Sequence, residues 1–523
     1  MKMTKIKRFL LVPKQDLARN QENETLVKKV FFWVILFGLM AHGFAFSNQF
    51  YSHDSIIELN ALTEYNSSSA VKISVGRFLQ PVVYHFRGAL AAPWLIGCLS
   101  LIWVALATTL LAKIFRFSNL FLVAGLLTTS VSYASTNATY IHESDMFMLA
   151  LLFAVLTAYF ISLGSYGYCI APVALMLSCG LYQAFLSVAV VLVEILILRS
   201  IMEGKSDKDI IKQSIFSVIS LLSGVILYYT VYKLVLVVTG IPALDSYNAI
   251  PDLKTLITGF FTPEITQLFA SIYLNFIRFL ITPITGYPTL VPVINIVLVM
   301  IFLVNMGIIL TQSTKSAVKT VVFCSILLLL PFTMNLSHFL SGGTHTLMEY
   351  AFLLPYLLLL LMIEHLRKSQ NIPKLCSQMV SLCLAFIVMG NMIYSNQLYL
   401  KKEMSYDNTL LTMNRVITKI EEQEEYVLGE TPVMFVGLLE SSGLAPTSYL
   451  FQNLTGLGAY HHQFSLTYYY TYPSYFLNVL CYPINIVYEQ EIRDSEVVGE
   501  MPIFPQSGSV QMVDSVIVVR LGA

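Results

Sequence analysis

Long apolar stretches alternate with short polar connections over most of the chain. A membrane-spanning helix needs about 20 predominantly apolar residues, and by this measure the alternation predicts about eleven spans. We place them at residues 30–50, 90–111, 120–135, 146–163, 169–200 (two short spans that break at 178–183), 215–238, 289–311, 320–337, 347–363 and 376–394.

Two long connections interrupt this alternation. Residues 51–88 form a polar loop with an amphipathic piece at 55–70, and residues 239–288 form a loop with several prolines and an amphipathic piece at 266–281. Amphipathic helices of this kind lie on a membrane surface or dip into it. We therefore expect both loops, with the polar groups that they carry, to lie at one membrane face.

The tail after residue 394 has a different pattern. It begins with a charged helical stretch at 414–426, and strand-like runs follow at 433–437 and 515–521. Mixed periodicities of this kind predict a small α/β domain.

Positive charge predicts the orientation of the spans. Lys and Arg favour short cytoplasmic loops, and the short connections 136–145 and 338–346 contain neither. The basic residues that follow alternate spans all fall on the opposite side: Lys113, Arg116, Lys205, Lys208, Lys212, Lys315, Lys319, Arg367, Lys368 and Lys374. We therefore predict a basic cytoplasmic N-terminus at 1–29, a membrane domain at 30–394 and an extracytoplasmic domain at 395–523.

Composition agrees with an α-helical polytopic membrane protein. The chain is 56% hydrophobic and 12% charged, whereas soluble domains carry about 25% charged residues. The formal net charge is zero, so no basic surface indicates a nucleic-acid partner. The seven cysteines form no CxxC pair, which argues against a metal site or a disulfide framework.

The motif Ser52-His53-Asp54-Ser55 follows directly after the first predicted span. A carboxylate that is partly removed from water there can take a proton from an attacking hydroxyl group, and His53 can orient it or contact an acceptor. Asp54 also occupies the place of a helix N-cap. Capping and catalysis are both open, and neither excludes the other.

Two further motifs on the same predicted side are candidates for substrate binding. Glu143 and Asp145 begin a span, where acidic residues suit the first helical turn; the alternative is a site for an acceptor or a metal ion. Tyr182 and Gln183 occupy the break within 169–200. A buried Gln needs hydrogen-bond partners, either a sugar hydroxyl or the backbone of a neighbouring loop.

Arginines and histidines complete the set of candidates. Arg77 and Arg278 suit a phosphate, because the planar guanidinium donates two parallel hydrogen bonds. The alternative is contact with lipid headgroups, which we favour more strongly for Lys72 and Arg87. Two imidazoles, His338 and His345, flank Gly342-Gly343 in an outer connection and can contact a substrate, but their spacing fits no zinc motif.

An ordered set of motifs along the whole chain resembles the GtrII-type glucosyltransferases, which modify O-antigen and convert serotype. The set comprises the following, in chain order: Ser52-His53-Asp54-Ser55, Gly76-Arg77-Phe78-Leu79-Gln80-Pro81, Leu181-Tyr182-Gln183-Ala184, Met501-Pro502-Ile503-Phe504-Pro505 and Gly508-Ser509-Val510.

This resemblance implies a GT-C-like fold in the bacterial inner membrane with an active site that faces the periplasm. It implies an inverting transfer of a hexose from undecaprenyl (polyprenyl) phosphate to a lipid-linked polysaccharide such as the O-antigen of lipopolysaccharide. Asp54 would then be the general base, and Glu143 and Asp145 would match an acidic pair that binds metal in pyrophosphate-using relatives. Relatives that use monophosphate donors usually need no metal, so we predict neither a metal nor a cofactor. A donor synthase and a flippase are possible protein partners.

A transporter or flippase of lipid-linked glycans is the main alternative. Transporters place ionisable groups near the middle of the membrane. The predicted spans contain few of them, chiefly Glu194, Lys233 and Glu349, which are far apart in sequence. The polar motifs lie at one face instead, which favours an enzyme over a transporter, and also over a non-catalytic scaffold.

Overall fold

A computed structural model describes residues 14–49, 51–59, 65–88, 92–244, 264–281, 290–313, 316–341, 345–369, 372–439, 466 and 469–522. Parts of the predicted connections lie outside the described residues, including Lys315, Gly342-Gly343 and the beginning of the N-terminal segment. For His53 the backbone is described and the side chain is not.

In its described residues the N-terminal half consists of helices joined by turns and short irregular connections, and contains no strand. Its α-helices are α1 Lys14–Ser47, α2 His53–Glu58, α3 Tyr65–Ser74, α4 Gln80–Arg87, α5 Pro93–Phe115, α6 Leu120–Thr128, α7 Val131–Thr139, α8 Ser144–Ser162, α9 Ser165–Leu181, α10 Leu186–Met202 and α11 Asp207–Thr239. Short 3₁₀ turns at Ile141–Glu143 and Gln183–Phe185 lead into α8 and α10.

The structure divides two of the predicted apolar segments. The segment 120–135, predicted as one span, is two nine-residue helices, α6 and α7. Asn119 and Ser130 each accept a hydrogen bond from the backbone three residues ahead, so each starts its own helix. The break predicted within 169–200 is confirmed, since α9 ends at Leu181 and Tyr182 has an extended backbone with φ −159°.

The second half continues with α12 Glu264–Ile281, α13 Leu290–Ser313, α14 Ala317–Met334, α15 Leu336–Ser341, α16 Leu354–Lys368 and α17 Lys374–Glu421, with 3₁₀ turns at Thr346–Met348 and Tyr350–Leu353. Helix α17 has 48 residues and is roughly 70 Å long at 1.5 Å per residue. The charged stretch predicted at 414–426 is therefore largely the end of this helix, and residue 395 lies inside it.

Apolar surface on the long helices identifies a membrane protein. Nine helical stretches of the described residues are long and apolar enough to cross a membrane: Asn23–Ser47, Pro93–Phe115, Ile141–Ser162, Gln183–Met202, Asp207–Thr239, Leu290–Gln312, Ala317–Met334, Tyr350–Lys368 and Lys374–Glu421. Shorter apolar helices occupy Ser165–Leu181 and Thr266–Ile281. Many large apolar side chains on these helices are exposed, as a lipid environment requires.

The C-terminal residues form a four-stranded sheet in the order β2-β1-β4-β3. The strands are β1 Pro432–Val436, β2 Asn485–Ile486, β3 Val510–Val513 and β4 Val516–Arg520, and the two predicted runs correspond to β1 and β4. Strand β1 pairs in parallel with β2 and β4, whereas β3 and β4 are antiparallel. The remaining helices are short: α18 Tyr472–Ser474, a π-helical turn Tyr475–Val479, α19 Gln490–Arg493 and α20 Glu496–Glu500.

One apolar core joins this sheet to the rest of the chain. Val433 and Ile517 of the sheet pack with Met413 and Ile420 near the end of α17, and Ile56 of α2 belongs to the same core. The loop after the first span is thereby held between the helical region and the C-terminal sheet.

Candidate active site

Hydrogen bonds hold helix α2 to α7 on one side and to the C-terminal region on the other. Ser52 and Ser55 form a capping box, in which the Ser52 backbone NH donates to Ser55 Oγ at 2.6 Å. Ser52 Oγ donates to the carbonyl of Thr139 at the end of α7 at 2.6 Å, and Ser474 Oγ donates to the carbonyl of Ile56 at 2.6 Å. Ser52 is thus the cap, and Asp54 lies in the first helical turn with a partly exposed side chain.

A buried lysine connects two carboxylates beside α2. Lys72 Nζ lies 2.9 Å from Glu58 Oε1 and also contacts Glu143 Oε1. Burial raises the pKa of Glu58. The positive charge of Lys72, with smaller contributions from His142 and from the hydrogen bonds of Lys72 and Ser68, outweighs this effect, and the pKa ends below its ordinary value. The sequence interpretation of Lys72 as a contact to lipid headgroups is wrong, because the side chain turns inward to these acids.

Arg77 approaches the same acid from the other side. Its Nη1 lies 3.8 Å from Glu143 Oε2, and its guanidinium carbon lies 4.9 Å from the centre of the Tyr182 ring. Tyr182 in turn stacks on Phe147, with ring centres 4.1 Å apart. The guanidinium therefore lies over the ring of Tyr182 in a buried aromatic pair, where cation–π attraction supports it.

A second ion pair joins α4 to the start of α8. Arg87 Nε lies 2.9 Å from Asp145 Oδ2, and Arg87 Nη2 donates to the carbonyl of His142 at 2.8 Å. Both side chains are almost completely buried. Arg87 was also interpreted as a lipid-headgroup contact, and that is wrong for the same reason as for Lys72. We use the term charge cluster for Glu58, Lys72, Arg77, Arg87, Glu143 and Asp145.

Several buried polar atoms of this region lack a hydrogen-bond partner among the described residues. They are both ring nitrogens of His142, Oδ1 of Asp145 and Nε of Arg77. A buried polar atom without a partner costs about 1–3 kcal/mol, and native proteins rarely leave several together. Water or the hydroxyl groups of a ligand would satisfy them, so the charge cluster has the properties of a polar binding site.

Glu58, His142 and Glu143 also have the chemistry of metal ligands. One donor atom from each lies within 4.8 Å of the others. Lys72 already contacts both carboxylates, so a metal ion would have to displace its ammonium group. The absence of a metal requirement remains a prediction.

The other sequence candidates lie elsewhere or have structural partners. Gln183 donates to the Val75 carbonyl at 2.7 Å and to the Tyr228 hydroxyl at 3.0 Å, which corresponds to the backbone alternative. Arg278 is exposed on α12, and none of its contacts reaches the charge cluster within the described part of the chain.

The two outer histidines belong to another polar region. His338 Nε2 is hydrogen-bonded to Ser271 Oγ at 3.0 Å, and the adjacent Asn275 donates to Asn335 at 2.9 Å and to Glu349 at 3.1 Å. We call Ser271, Asn275, Asn335, His338 and Glu349 the second polar network. His345 precedes the turn whose Thr346 carbonyl accepts from Ser132 of α7 at 2.7 Å. Burial lowers the pKa of both histidines.

Sequence reasoning missed Glu58, His142, Lys72 and Arg87 as members of the site. Two signals were available. Glu58 follows Asp54 by four residues, so both carboxylates share one helix face, and His142 immediately precedes Glu143 in the motif that was singled out. Nothing in the local sequence distinguishes an inward-turned Lys72 or Arg87 from a lysine or arginine at a membrane edge.

The fold and the site together define a polytopic helical membrane protein with a buried acid–base cluster next to a partly exposed carboxylate. The sequence profile of the family described as Glucosyl transferase GtrII matches residues 43–363. The chain therefore belongs to the GtrII glucosyltransferase family, and the matched region contains α2 and the whole charge cluster. No curated protein and no solved structure gives a significant match. Family membership makes the chain a glycosyltransferase with a sugar donor and an acceptor as substrates.

Proposed function

We propose that the chain transfers glucose from polyprenyl phosphate to a lipid-linked surface polysaccharide, such as O-antigen, on the periplasmic side of the bacterial inner membrane. Family membership supports the glucosyl transfer. The observation that carries the assignment to this site is the group of unpartnered buried atoms on His142, Asp145 and Arg77, directly beside α2. Such atoms suit a ligand with many hydroxyl groups.

Asp54 is proposed as the general base. Its carboxylate is partly exposed and lies on a helix that is anchored to α7 on one side and to the C-terminal region on the other. The acceptor hydroxyl gives its proton to Asp54 while its oxygen forms a bond to the anomeric carbon. The bond between that carbon and the phosphate oxygen breaks, and polyprenyl phosphate leaves with the electron pair. Attack opposite the leaving group inverts the anomeric configuration.

The charge cluster is proposed to hold the sugar and to fix α2. Lys72 ties Glu58 of α2 to Glu143 at the start of the fourth predicted span, so the position of Asp54 depends on these acids. Asp145 Oδ1 and the His142 ring offer hydrogen bonds to sugar hydroxyls. Such positioning is worth several kcal/mol to a bimolecular reaction.

For the phosphate, Arg77 is the better of the two candidate arginines. It lies in the cluster at the Tyr182 ring, whereas Arg278 is exposed on α12. Tyr182 supports Arg77, Gln183 fixes the adjacent loop, and His53, His338 and His345 stay candidates for acceptor or lipid contact.

The wider architecture follows the same proposal. A GT-C-like membrane domain over residues 30–394 with about eleven spans would present α2 and the charge cluster to the periplasm, and residues 395–523 would form the extracytoplasmic domain that covers α2. A synthase and a flippase would supply the lipid-linked donor from the cytoplasm. Neither a metal ion nor a cofactor is required by this chemistry.

Analysis of cell-surface polysaccharide tests the proposal. Mass and linkage analysis of cells with and without the gene should reveal one additional hexose per repeating unit, with inverted configuration relative to the donor. Cells that produce Asp54→Asn at a normal membrane level should lack it. Identical polysaccharide in all three strains would contradict the proposed function.

A further inference from the structure

Arg77 directly follows the end of α3, which a glycine closes. The Gly76 NH donates to the Ile73 carbonyl and the Arg77 NH donates to the Lys72 carbonyl, each at 2.9 Å, and Gly76 has a φ of 82°. This pattern is the Schellman motif, in which the residue after a helix adopts the left-handed conformation that glycine favours. The backbone of Arg77 therefore leaves a closed helix end in a defined direction.

Side chains from two other spans hold the carbonyl groups at this helix end. The carbonyls of residues 74, 75 and 76 accept, in that order, from Tyr232 Oη at 2.8 Å, Gln183 Nε2 at 2.7 Å and Tyr228 Oη at 3.2 Å. The last carbonyls of a helix have no partner within the helix, so donors from neighbouring elements satisfy them. Tyr228 and Tyr232 belong to α11, and Gln183 belongs to the turn before α10, so both spans fix the end of α3.

Tyr228 contacts both residues that flank Arg77. Its hydroxyl donates to the Gly76 carbonyl, and its ring stacks on the Phe78 ring, with ring centres 5.9 Å apart and ring planes 21° apart. Gln183 Nε2 donates to the same hydroxyl at 3.0 Å, which leaves the hydroxyl proton for Gly76. A single side chain thus holds the backbone before Arg77 and the aromatic ring after it.

The aromatic ring beneath the guanidinium is tied to the same segment. The Leu79 NH donates to the carbonyl of Gly180 at 3.0 Å, two residues before Tyr182. Gly180 permits this approach, because a Cβ atom there would lie 2.9 Å from the Phe78 ring. The backbone of Arg77 and the ring of Tyr182 therefore keep a fixed relation, and the guanidinium carbon lies 4.9 Å from the centre of that ring.

The guanidinium that is held in this way keeps hydrogen-bonding capacity for a ligand. Arg77 Nε is buried and has no hydrogen-bond partner among the described residues. Arg77 Nη1 lies 3.8 Å from Glu143 Oε2, which is beyond hydrogen-bond distance. Fixing a long side chain costs conformational entropy, and a side chain that the fold has already fixed does not add that cost to ligand binding.

We propose that Tyr228 is a positioning residue for Arg77 and presents its guanidinium to the phosphate of the lipid-linked sugar donor. This inference rests on the proposed function, in which Arg77 binds that phosphate. Tyr228 acts through residues 76 and 78 and not through contact with the donor. The phosphate that leaves after transfer gains negative charge, and a guanidinium already in place stabilises it without reorganisation.

Steady-state kinetics on the purified full-length chain in nanodiscs of neutral lipid test this role. The donor, polyprenyl-phosphate glucose, is varied at a fixed concentration of lipid-linked acceptor. Tyr228→Phe keeps the stack on Phe78 and removes the hydroxyl, so kcat/KM for the donor should fall about fivefold, as expected for one neutral hydrogen bond. The KM for the acceptor should not change. Tyr229→Phe is the matched control, because it removes the hydroxyl of the adjacent α11 residue, whose ring lies beside Lys233, and it should match wild type.

A double-mutant cycle with Arg77 separates positioning from a general structural role. In the Arg77→Met background, Tyr228→Phe should lower kcat/KM by less than about twofold, because no guanidinium is left to position. An equal fivefold loss in both backgrounds would show that Tyr228 does not act through Arg77 and would overturn the proposal.

A second variant keeps the test decisive if Tyr228→Phe does not reach the membrane. Gln183→Met removes the hydrogen bonds to the Val75 carbonyl and to the Tyr228 hydroxyl, so it loosens the same segment. Its loss of kcat/KM for the donor should also disappear in the Arg77→Met background. A loss of equal size in the two backgrounds would again contradict the positioning role.

The two failures are distinguishable. If the wild-type chain forms no glucosidic bond with this donor, the proposed function fails. If the wild-type chain is active and Arg77→Met is impaired, but Tyr228→Phe matches Tyr229→Phe, only the positioning role fails.

Discussion

Two polar regions of this membrane protein differ in charge and in setting. The charge cluster joins three basic side chains to three carboxylates, and polar atoms remain without partners beside it. The second polar network has one carboxylate, Glu349, among amide, hydroxyl and imidazole groups. Both are partly or fully buried, yet only the first concentrates ionic pairs next to a candidate base.

Helix α12, which carries Ser271 and Asn275 of the second polar network, also lines an apolar cavity. This cavity of about 450 Å³ lies between α12, α13, α14 and α16, and Phe276, Phe302 and Leu359 are among its lining residues. Its lining includes Asn295, whose Oδ1 accepts from the Tyr356 hydroxyl at 2.7 Å. The contrast teaches that burial of polar groups does not by itself identify a reactive site. His338 Nδ1 of the second polar network is also buried without a hydrogen-bond partner among the described residues, so unpartnered atoms alone do not separate the two regions. Paired opposite charges fit polar-ligand chemistry, whereas mainly neutral groups beside an apolar cavity fit helix packing and lipid contact.

Substitution of Asp54 is expected to have the largest effect on transfer activity. Asp54→Asn keeps the size of the side chain and removes the base, so transfer should fall about 10²- to 10⁴-fold without a change in thermal stability. Asp407→Asn alters an exposed carboxylate of α17 and should leave activity unchanged. Activity of purified Asp54→Asn within a few-fold of wild type would falsify the assignment of the base.

Removing one acid from each polar region compares how much the two regions contribute to the free energy of unfolding. Glu143→Gln leaves Lys72 and Arg77 with one partner fewer in a buried setting, and breaking such a pair costs about 3–5 kcal/mol. Glu349→Gln replaces a carboxylate acceptor by an amide among neutral groups, and it should lower the free energy of unfolding by about 1 kcal/mol. Denaturation in detergent with matched protein preparations measures both. Equal losses for the two variants would show that the cluster is not an ionic unit.

The two candidate arginines offer a third comparison. Arg77→Met removes a guanidinium that contacts Glu143 and the Tyr182 ring and should lower kcat/KM about tenfold or more. Arg278→Met removes an exposed charge and should change kcat/KM less than about twofold. A larger loss for Arg278→Met would move the phosphate site to α12.

The smallest expected effect is a pH dependence of stability that belongs to Glu58. Its pKa lies below the ordinary value of 4.5 in the folded chain, so the unfolded chain binds its proton more readily. The stability from Glu58 is therefore fully present above about pH 4.5 and is lost as pH falls through the folded value. Thermal denaturation of wild type and Glu58→Gln between pH 3 and 7 should show a difference that shrinks on acidification. A difference that grows on acidification would contradict the ion pair with Lys72.

Local patterns predicted the helical membrane class, the break at Tyr182 and the strands at 433 and 516. These features depend on hydropathy, on turn chemistry and on β-branched runs, which are properties of neighbouring residues. The motifs containing Asp54, Glu143 and Arg77 were likewise visible in the sequence, although their proximity was only an expectation from a shared membrane face.

The partners within the charge cluster could not be predicted in this way. Lys72 and Glu143 are 71 residues apart, and the contact exists only because α3 packs beside the start of α8. The same holds for Arg87 and Asp145, and for the core that Ile56 shares with the C-terminal sheet. The continuation of α17 past residue 395 was hidden by a change in composition, which a single helix tolerates when its two halves meet different surroundings.

Transfer in proteoliposomes tests the central claim most directly. Vesicles that contain the purified chain, labelled polyprenyl-phosphate glucose and a lipid-linked glycan should form labelled glycan with one new glucosidic bond, and Asp54→Asn vesicles should form about 10²- to 10⁴-fold less. Movement of the labelled donor between leaflets without any new glucosidic bond would contradict the account and identify a flippase.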